Sequence, residues 1–166
     1  MPALRLTQSS ELPLAMDIIN QAKSFLRAQG IDQWQDGYPD ESILRADIEA
    51  GRGYFLIVGE EITGYLCVDF GGEPAYEAID GAWLTGGTYG VVHRLAILPA
   101  FRSRGLASAA FELAAQLCLK RGVFSLRADT DPCNQIMQRA MKRSGFVYCG
   151  TILFAGSPKI AFERSL

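Results

Sequence analysis

From Leu12 to Leu26 apolar residues recur at helical spacing: Leu12, Ala15, Ile18, Ile19, Ala22 and Leu26. That period predicts an amphipathic helix, which Gly30 closes. A second helix is expected over 40–51, with Asp40 as its N-cap and Gly51 after its end. Before the first helix, LRLT reads as a short strand. After the second, YFLIV and ITGYLCVDF read as two strands joined by the tight turn GEE, most simply a hairpin. Residues 71–90 are Gly-rich with scattered aromatics and predict an irregular excursion or a short helical turn.

The pattern sharpens in the second half. VVHRLAIL predicts a buried strand, and SRGLASAAFELAAQLCLKRG predicts a helix that begins near Arg104. Lys120, Arg121 and Gly122 end that helix in the order its dipole favours. VFSLRADT predicts another strand. Asp131 and Pro132 predict an N-cap and first turn for CNQIMQRAMKRSG. FVYCGTILFA and KIAFERSL close the chain as two strands turning at GSP. The order predicts one α/β domain over residues 1–166, with a mixed sheet that is parallel where the later helices cross over.

Composition narrows the functional classes. The chain has 166 residues, 49% hydrophobic and 20% charged, as for a globular domain with a real core. A net charge of -2 gives no global positive field, so neither nucleic acid nor an anionic membrane is an expected partner. No window approaches the roughly 18 apolar residues of a membrane span, and residues 1–10 lack a signal-like apolar run. Four cysteines without a C-x-x-C pair predict buried thiols in a reducing cytoplasm. One histidine makes no zinc site, and no metal is expected.

One segment carries recognisable chemistry. RLAILPAFRSRGLASAA runs from an apolar strand through a turn into a helix. A helix start offers unpaired N–H groups and partial positive charge. Gly105 admits a ligand close to the backbone, while Ala107 and Ser108 leave the first turn uncluttered. Arg102 and Arg104 add full charges. These are the ingredients of a phosphate or pyrophosphate cradle. The competing interpretation is a plain turn with two solvated arginines. Walker and Rossmann patterns are both absent.

Arg102-Ser103-Arg104-Gly105-Leu106-Ala107 after a strand, with Asn134 and Gly145-Phe146 downstream, resembles the GNAT superfamily of acetyl-CoA-dependent N-acetyltransferases. The order of elements agrees over nearly the whole chain. The resemblance implies a mixed sheet of about seven strands with about four helices on its two faces. It implies that backbone groups of Leu95, Ala96 and Ile97 pair with the pantetheine arm of coenzyme A as an added strand. N–H groups from Arg102 to Ala107 would hold the pyrophosphate, with Ser108 beside them, and Asn134 would contact the cofactor near its thiol end. The Ile97 N–H would serve as oxyanion donor.

Acetyl transfer to an amine of pKa about 10 requires that a proton be removed. His93, with an ordinary pKa near 6.5, is the natural base or water-orienting residue. Strand alternation places Val91, His93, Leu95 and Ile97 on one face, with Arg94 and Ala96 on the other. A core histidine satisfied by one hydrogen bond is the structural alternative. Where many family members carry a tyrosine acid, this chain has Met141, and a thioether donates no proton. Either the enzyme dispenses with the acid, or Tyr148, Tyr89 or Tyr38 supplies it. The acceptor, a small-molecule or peptide amine, is expected beside 30–39 and 71–90. Trp34, Tyr38 and Tyr89 are candidate contacts, with Tyr76 and Trp83 as further aromatics. Asp32, Asp36, Glu73, Glu77 and Asp80 are candidate attractors for a cation. Residues 71–90 are alternatively a homodimer surface. A non-catalytic acyl-CoA sensor is the rival function, and Met141 is the feature that favours it.

Overall fold

The helical period beginning at Leu12 folds as α1 (Leu12–Ala28), and all six of its apolar markers are buried. Asp40 caps α2 (Glu41–Glu49) by accepting from the Ile43 N–H at 3.0 Å. The computed structural model describes all 166 residues. Its remaining elements are β1 (Pro2–Leu6), β2 (Gly53–Val58), β3 (Glu61–Asp69), α3 (Pro74–Glu77) and β4 (Asp80–Gly81). They continue with β5 (Gly90–Ile97), α4 (Leu106–Lys120), β6 (Ser125–Thr130), α5 (Gln135–Arg143), β7 (Val147–Phe154) and β8 (Ser157–Ser165). The strands are ordered β1-β2-β3-β5-β6-β8-β7-β4. No helix is long and apolar enough to cross a membrane.

The chain folds as two compact units, Met1–Val68 with Arg94–Ala110, and Asp69–His93 with Phe111–Leu166. In the first, β1, β2 and β3 pair antiparallel, and β2–β3 is the expected hairpin with a bulge between Leu56 and Ile57. Its core joins Ile18 and Ile19 of α1, Leu44 and Ile48 of α2, Phe55, Tyr65 and Ala96. Burying each large side chain contributes roughly 1.5–3 kcal/mol before conformational entropy is counted. Gly64 is required where β3 meets β5. A Cβ there would stand 2.5 Å from the Ala96 carbonyl oxygen.

In the second unit, β5 and β6 pair parallel over only Gly90 with Leu126 and Val91 with Arg127, and both strands run on past that ladder. Tyr76, Val91, Ile152 and Ala161 form one core cluster, and the Phe111 and Phe146 rings meet at 5.0 Å.

Several expectations need correction. There are eight strands and five α-helices, because 71–90 contributes both α3 and the two-residue β4, which pairs with β7. The second crossover does not make a parallel neighbour: β8 lies between β6 and β7 and is antiparallel to both. The final turn is Ala155–Gly156, both at positive φ, rather than GSP. Asp131 does not cap α5. Asn134 does so by accepting from the Met137 N–H at 3.2 Å, while Asp131 accepts from the Cys133 N–H at 2.8 Å. Cys67, Cys118 and Cys149 are buried, but Cys133 is exposed.

Candidate active site

The strand-to-helix turn belongs to the first unit. Pro99–Phe101 form one 3-10 turn, and Arg102 is extended. Ser103 and Gly105 then adopt φ of 61° and 73°. α4 begins at Leu106, two residues later than the sequence suggests, because a left-handed Gly105 cannot be part of the helix. The Ala109 N–H bonds back to the Gly105 carbonyl at 3.0 Å. The preceding N–H groups of Leu106, Ala107 and Ser108 therefore have no acceptor within the helix. A Cβ built on Gly105 meets nothing within 4 Å, so the concavity is open on that side. Successive N–H groups around alternating left-handed residues form an anion-binding concavity.

The arginines of this turn differ. Arg102 lays its guanidinium on the Phe25 ring, 3.3 Å from the centroid, and its Nε is buried with no hydrogen-bond partner. Burial pushes its pKa down. A desolvated guanidinium with an unsatisfied donor favours an incoming anion. Arg104 is exposed, 5.3 Å from the Phe101 ring.

A buried polar cluster lies upstream in the same unit. Arg94 has φ 55° in the middle of β5. This interrupts the pleat, so the expected alternation of His93, Leu95 and Ile97 does not carry across it. The Arg94 guanidinium donates to both Asp47 oxygens, at 2.8 and 2.6 Å, and to the Tyr38 hydroxyl at 2.7 Å. Tyr65 also donates to Asp47, at 3.2 Å. Burial pushes the Cys67 thiol up to about 12. Tyr38 is thus tied to Arg94, and Trp34, at φ 62°, packs on the core of this unit.

In the second unit, His93 is 9% exposed, and its Nε2 stands 3.6 Å from Glu73 Oε2. Glu73 is fixed from two sides. Its Oε1 accepts from the Ala75 N–H at 3.2 Å, and its own N–H donates to the Tyr89 hydroxyl at 3.1 Å. Tyr76 is buried below, donating to Asp129 Oδ1 at 2.6 Å. Burial and then Asp129 push its hydroxyl well above the ordinary range. Trp83 donates to the Tyr76 carbonyl at 2.8 Å. Asn134 lies at the α5 cap, Met141 is buried at 1% exposure, and Tyr148 is exposed against Phe162.

A second ionic cluster holds the loop before β5. Glu163 of β8 is fully buried and accepts from Ser125 Oγ, Thr85 Oγ1, the Leu84 N–H and Arg127 Nε. Arg127 also donates to the Thr85 carbonyl at 2.8 Å and stacks between Trp83 and Tyr89, at 4.1 and 3.9 Å. Burial raises the Glu163 pKa, but the hydroxyl, amide and guanidinium donors outweigh it and hold the group below its ordinary value.

Of the residues anticipated from sequence, Trp34, Tyr38, Leu95 to Ile97 and Arg102 to Ser108 belong to the first unit. His93, Tyr89 and Asn134 belong to the second. His93 and Glu73, considered separately in the sequence, are neighbours. Asp47, Asp129, Arg127 and Glu163 were missed. Only their charge within apolar strands or on a buried helix face could have flagged them.

Comparison with known proteins agrees with this architecture. Residues 18–146 match the family model described as Acetyltransferase (GNAT) family. No protein of curated function matches the sequence at a significant level. A GNAT-family acetyltransferase from Streptococcus agalactiae superposes with a TM-score of 0.90 at 31% identity, covering 99% of this chain and 95% of that one. A GNAT-family acetyltransferase from Listeria monocytogenes gives 0.79 at 18% identity, covering 99% and 95%. An aminoglycoside acetyltransferase in complex with coenzyme A and kanamycin gives 0.72 at 17% identity, with the same coverage. The family match spans most of the sequence and the fold neighbours span nearly all of it; the chain belongs to the GNAT family of acetyltransferases.

Proposed function

We propose that the chain moves an acetyl group from acetyl-CoA to a primary amine of a small molecule or peptide by direct attack in a ternary complex. The observation that carries this reading is the turn at Arg102–Leu106: two left-handed residues, a helix start and a buried guanidinium nitrogen without a partner. Those features suit a pyrophosphate, with Arg102 to Ser108 around it. β5 runs on past its last register pair with β6, which supports a pantetheine arm paired to the backbone of Leu95, Ala96 and Ile97. Asn134 is assigned to the thiol end of the arm. Acetyl-CoA supplies the activated acyl carbon.

The chain's own residues then have defined tasks. His93 accepts the proton that the amine nitrogen loses as it attacks. The Ile97 N–H donates to the oxygen that gains charge. The carbon–sulfur bond breaks, and a thiol of pKa about 8.5 leaves as thiolate without a donor at Met141. Trp34, Tyr38 and Tyr89 are assigned to the acceptor side.

Titration calorimetry with acetyl-CoA tests the cradle. Gly105→Glu places a negative side chain at a left-handed position facing the anion and should abolish measurable binding; unchanged affinity refutes the assignment. A panel of amino acids, polyamines, aminoglycosides and peptide N-termini, scored for coenzyme A release, then identifies the acceptor. On that acceptor His93→Ala should lower kcat by about 10²-fold or more. A silent panel with intact acetyl-CoA binding would instead favour a non-catalytic sensor.

A further inference from the structure

We propose that Glu73 is a positioning residue for His93, a fixed carboxylate that raises the basicity of the imidazole and stabilises the imidazolium formed when His93 takes a proton. The catalytic consequence rests on the acetyltransferase reading; the pairing itself does not.

The geometry singles out Glu73. Its Oε2 is 3.6 Å from His93 Nε2, and both side chains are largely buried, at 17% and 9% exposure. The carboxylate is also held in place: Oε1 accepts from the Ala75 N–H, and the backbone N–H reaches the Tyr89 hydroxyl. A carboxylate held at this distance favours the charged form of the ring. An opposite charge within about 4–6 Å moves a pKa by roughly 1–3 units.

Other charged groups of this region have partners of their own. Asp129 lies on β6 two positions beyond the last β5–β6 register pair, as His93 does on β5. One of its oxygens receives the Tyr76 hydroxyl at 2.6 Å. Tyr89 meets Glu73 through its hydroxyl and Arg127 through its ring. Arg127 is paired with Glu163. The next residue along the strand, Arg94, sends its guanidinium to Asp47. Glu73 is the carboxylate that stands at ion-pair distance from the imidazole, with Oε2 3.6 Å from Nε2. In the proposed step the amine nitrogen gives its proton to His93, and the proton stays there. The imidazolium that results stands beside the Glu73 side chain, 3.6 Å away.

The chain contains a single histidine, so a tag-free sample gives one imidazole to titrate, followed through its two ring C–H resonances by proton NMR. Glu73→Gln keeps the size of the side chain and an oxygen for the Ala75 N–H while removing the charge. It should lower the titration midpoint by about 1–3 units. Glu73→Asp, one methylene shorter, should fall between the two, and Asp129→Asn should move the midpoint less than Glu73→Gln. On an identified amine, the inflection in kcat should fall with the NMR midpoint while KM for acetyl-CoA stays constant. An unmoved midpoint in a folded Glu73→Gln protein overturns the proposal, as does a larger shift in Asp129→Asn. A loss of kcat with no shift in either pH profile would make Glu73 merely structural and also overturns it. A shifted midpoint in a chain that acetylates no amine supports the pair and removes the acetyltransferase reading instead.

Discussion

Replacing Asp47 with alanine should destabilise the protein far more than an average point mutation. Asp47 and Arg94 side chains are 3% and 10% exposed, and two hydrogen bonds join them. Removing the carboxylate leaves a buried guanidinium uncompensated, which costs about 3–5 kcal/mol. It also takes the acceptor from the Tyr65 hydroxyl, a buried donor whose loss of a partner costs about 1–3 kcal/mol. The two terms overlap, so a total of roughly 4–6 kcal/mol is expected. Stability of a domain is about 5–15 kcal/mol, and at this size Tm moves about 2–4 °C per kcal/mol. The expected fall in Tm is roughly 10–20 °C. Urea unfolding should show a lower midpoint at unchanged m. The double variant Asp47→Leu/Arg94→Met removes both charges and should recover much of the loss. An Asp47→Ala protein within about 1 kcal/mol of wild type, or a double variant as unstable as the single, refutes the reasoning.

Glu163 makes stability sensitive to acid. Its folded pKa lies below the ordinary value of about 4.3, so the unfolded chain takes up the proton first. Its contribution is fully present above about pH 4.3 and is lost as pH falls through the folded value. Urea midpoints measured from pH 6 down to 3 should drop, and Glu163→Gln, less stable at neutral pH, should flatten that dependence. Asn134→Ala should cost about 1 kcal/mol through the lost α5 cap, while Asp131→Ala should leave the helical signal of α5 unchanged; the reverse ranking in urea unfolding contradicts the cap assignment.

What was legible in the sequence was what repeats locally. The period of α1, the Asp40 cap and the β2–β3 hairpin are each written within about 20 neighbouring residues, and each folds as expected. The strand–turn–helix that carries the proposed cradle was legible because Arg102 to Ala107 are contiguous. The strand interruption at Arg94 was not, because nothing in VVHRLAIL distinguishes a left-handed arginine from an extended one. The carboxylate that its guanidinium meets lies 47 residues away, in Asp47. The α5 cap was misplaced for a local reason: Asp131-Pro132 and Asn134 both satisfy capping chemistry, and only the backbone at Asn134 decides between them. His93 could be singled out by residue type, whereas its proximity to Glu73 depends on how the Gly-rich excursion returns to the sheet.

The bonds from Glu163 to Leu84 and Thr85 span 79 and 78 residues of chain. They tie a loop to a strand that is itself inserted between β6 and β7. In the course of folding, this loop cannot settle until that insertion is complete, so its order is a late event that depends on pairings of high contact order. The Leu84 amide, though outside any helix or strand, should then exchange with solvent as slowly as amides of the central sheet. A single loop proton becomes a reporter of whether β8 is seated.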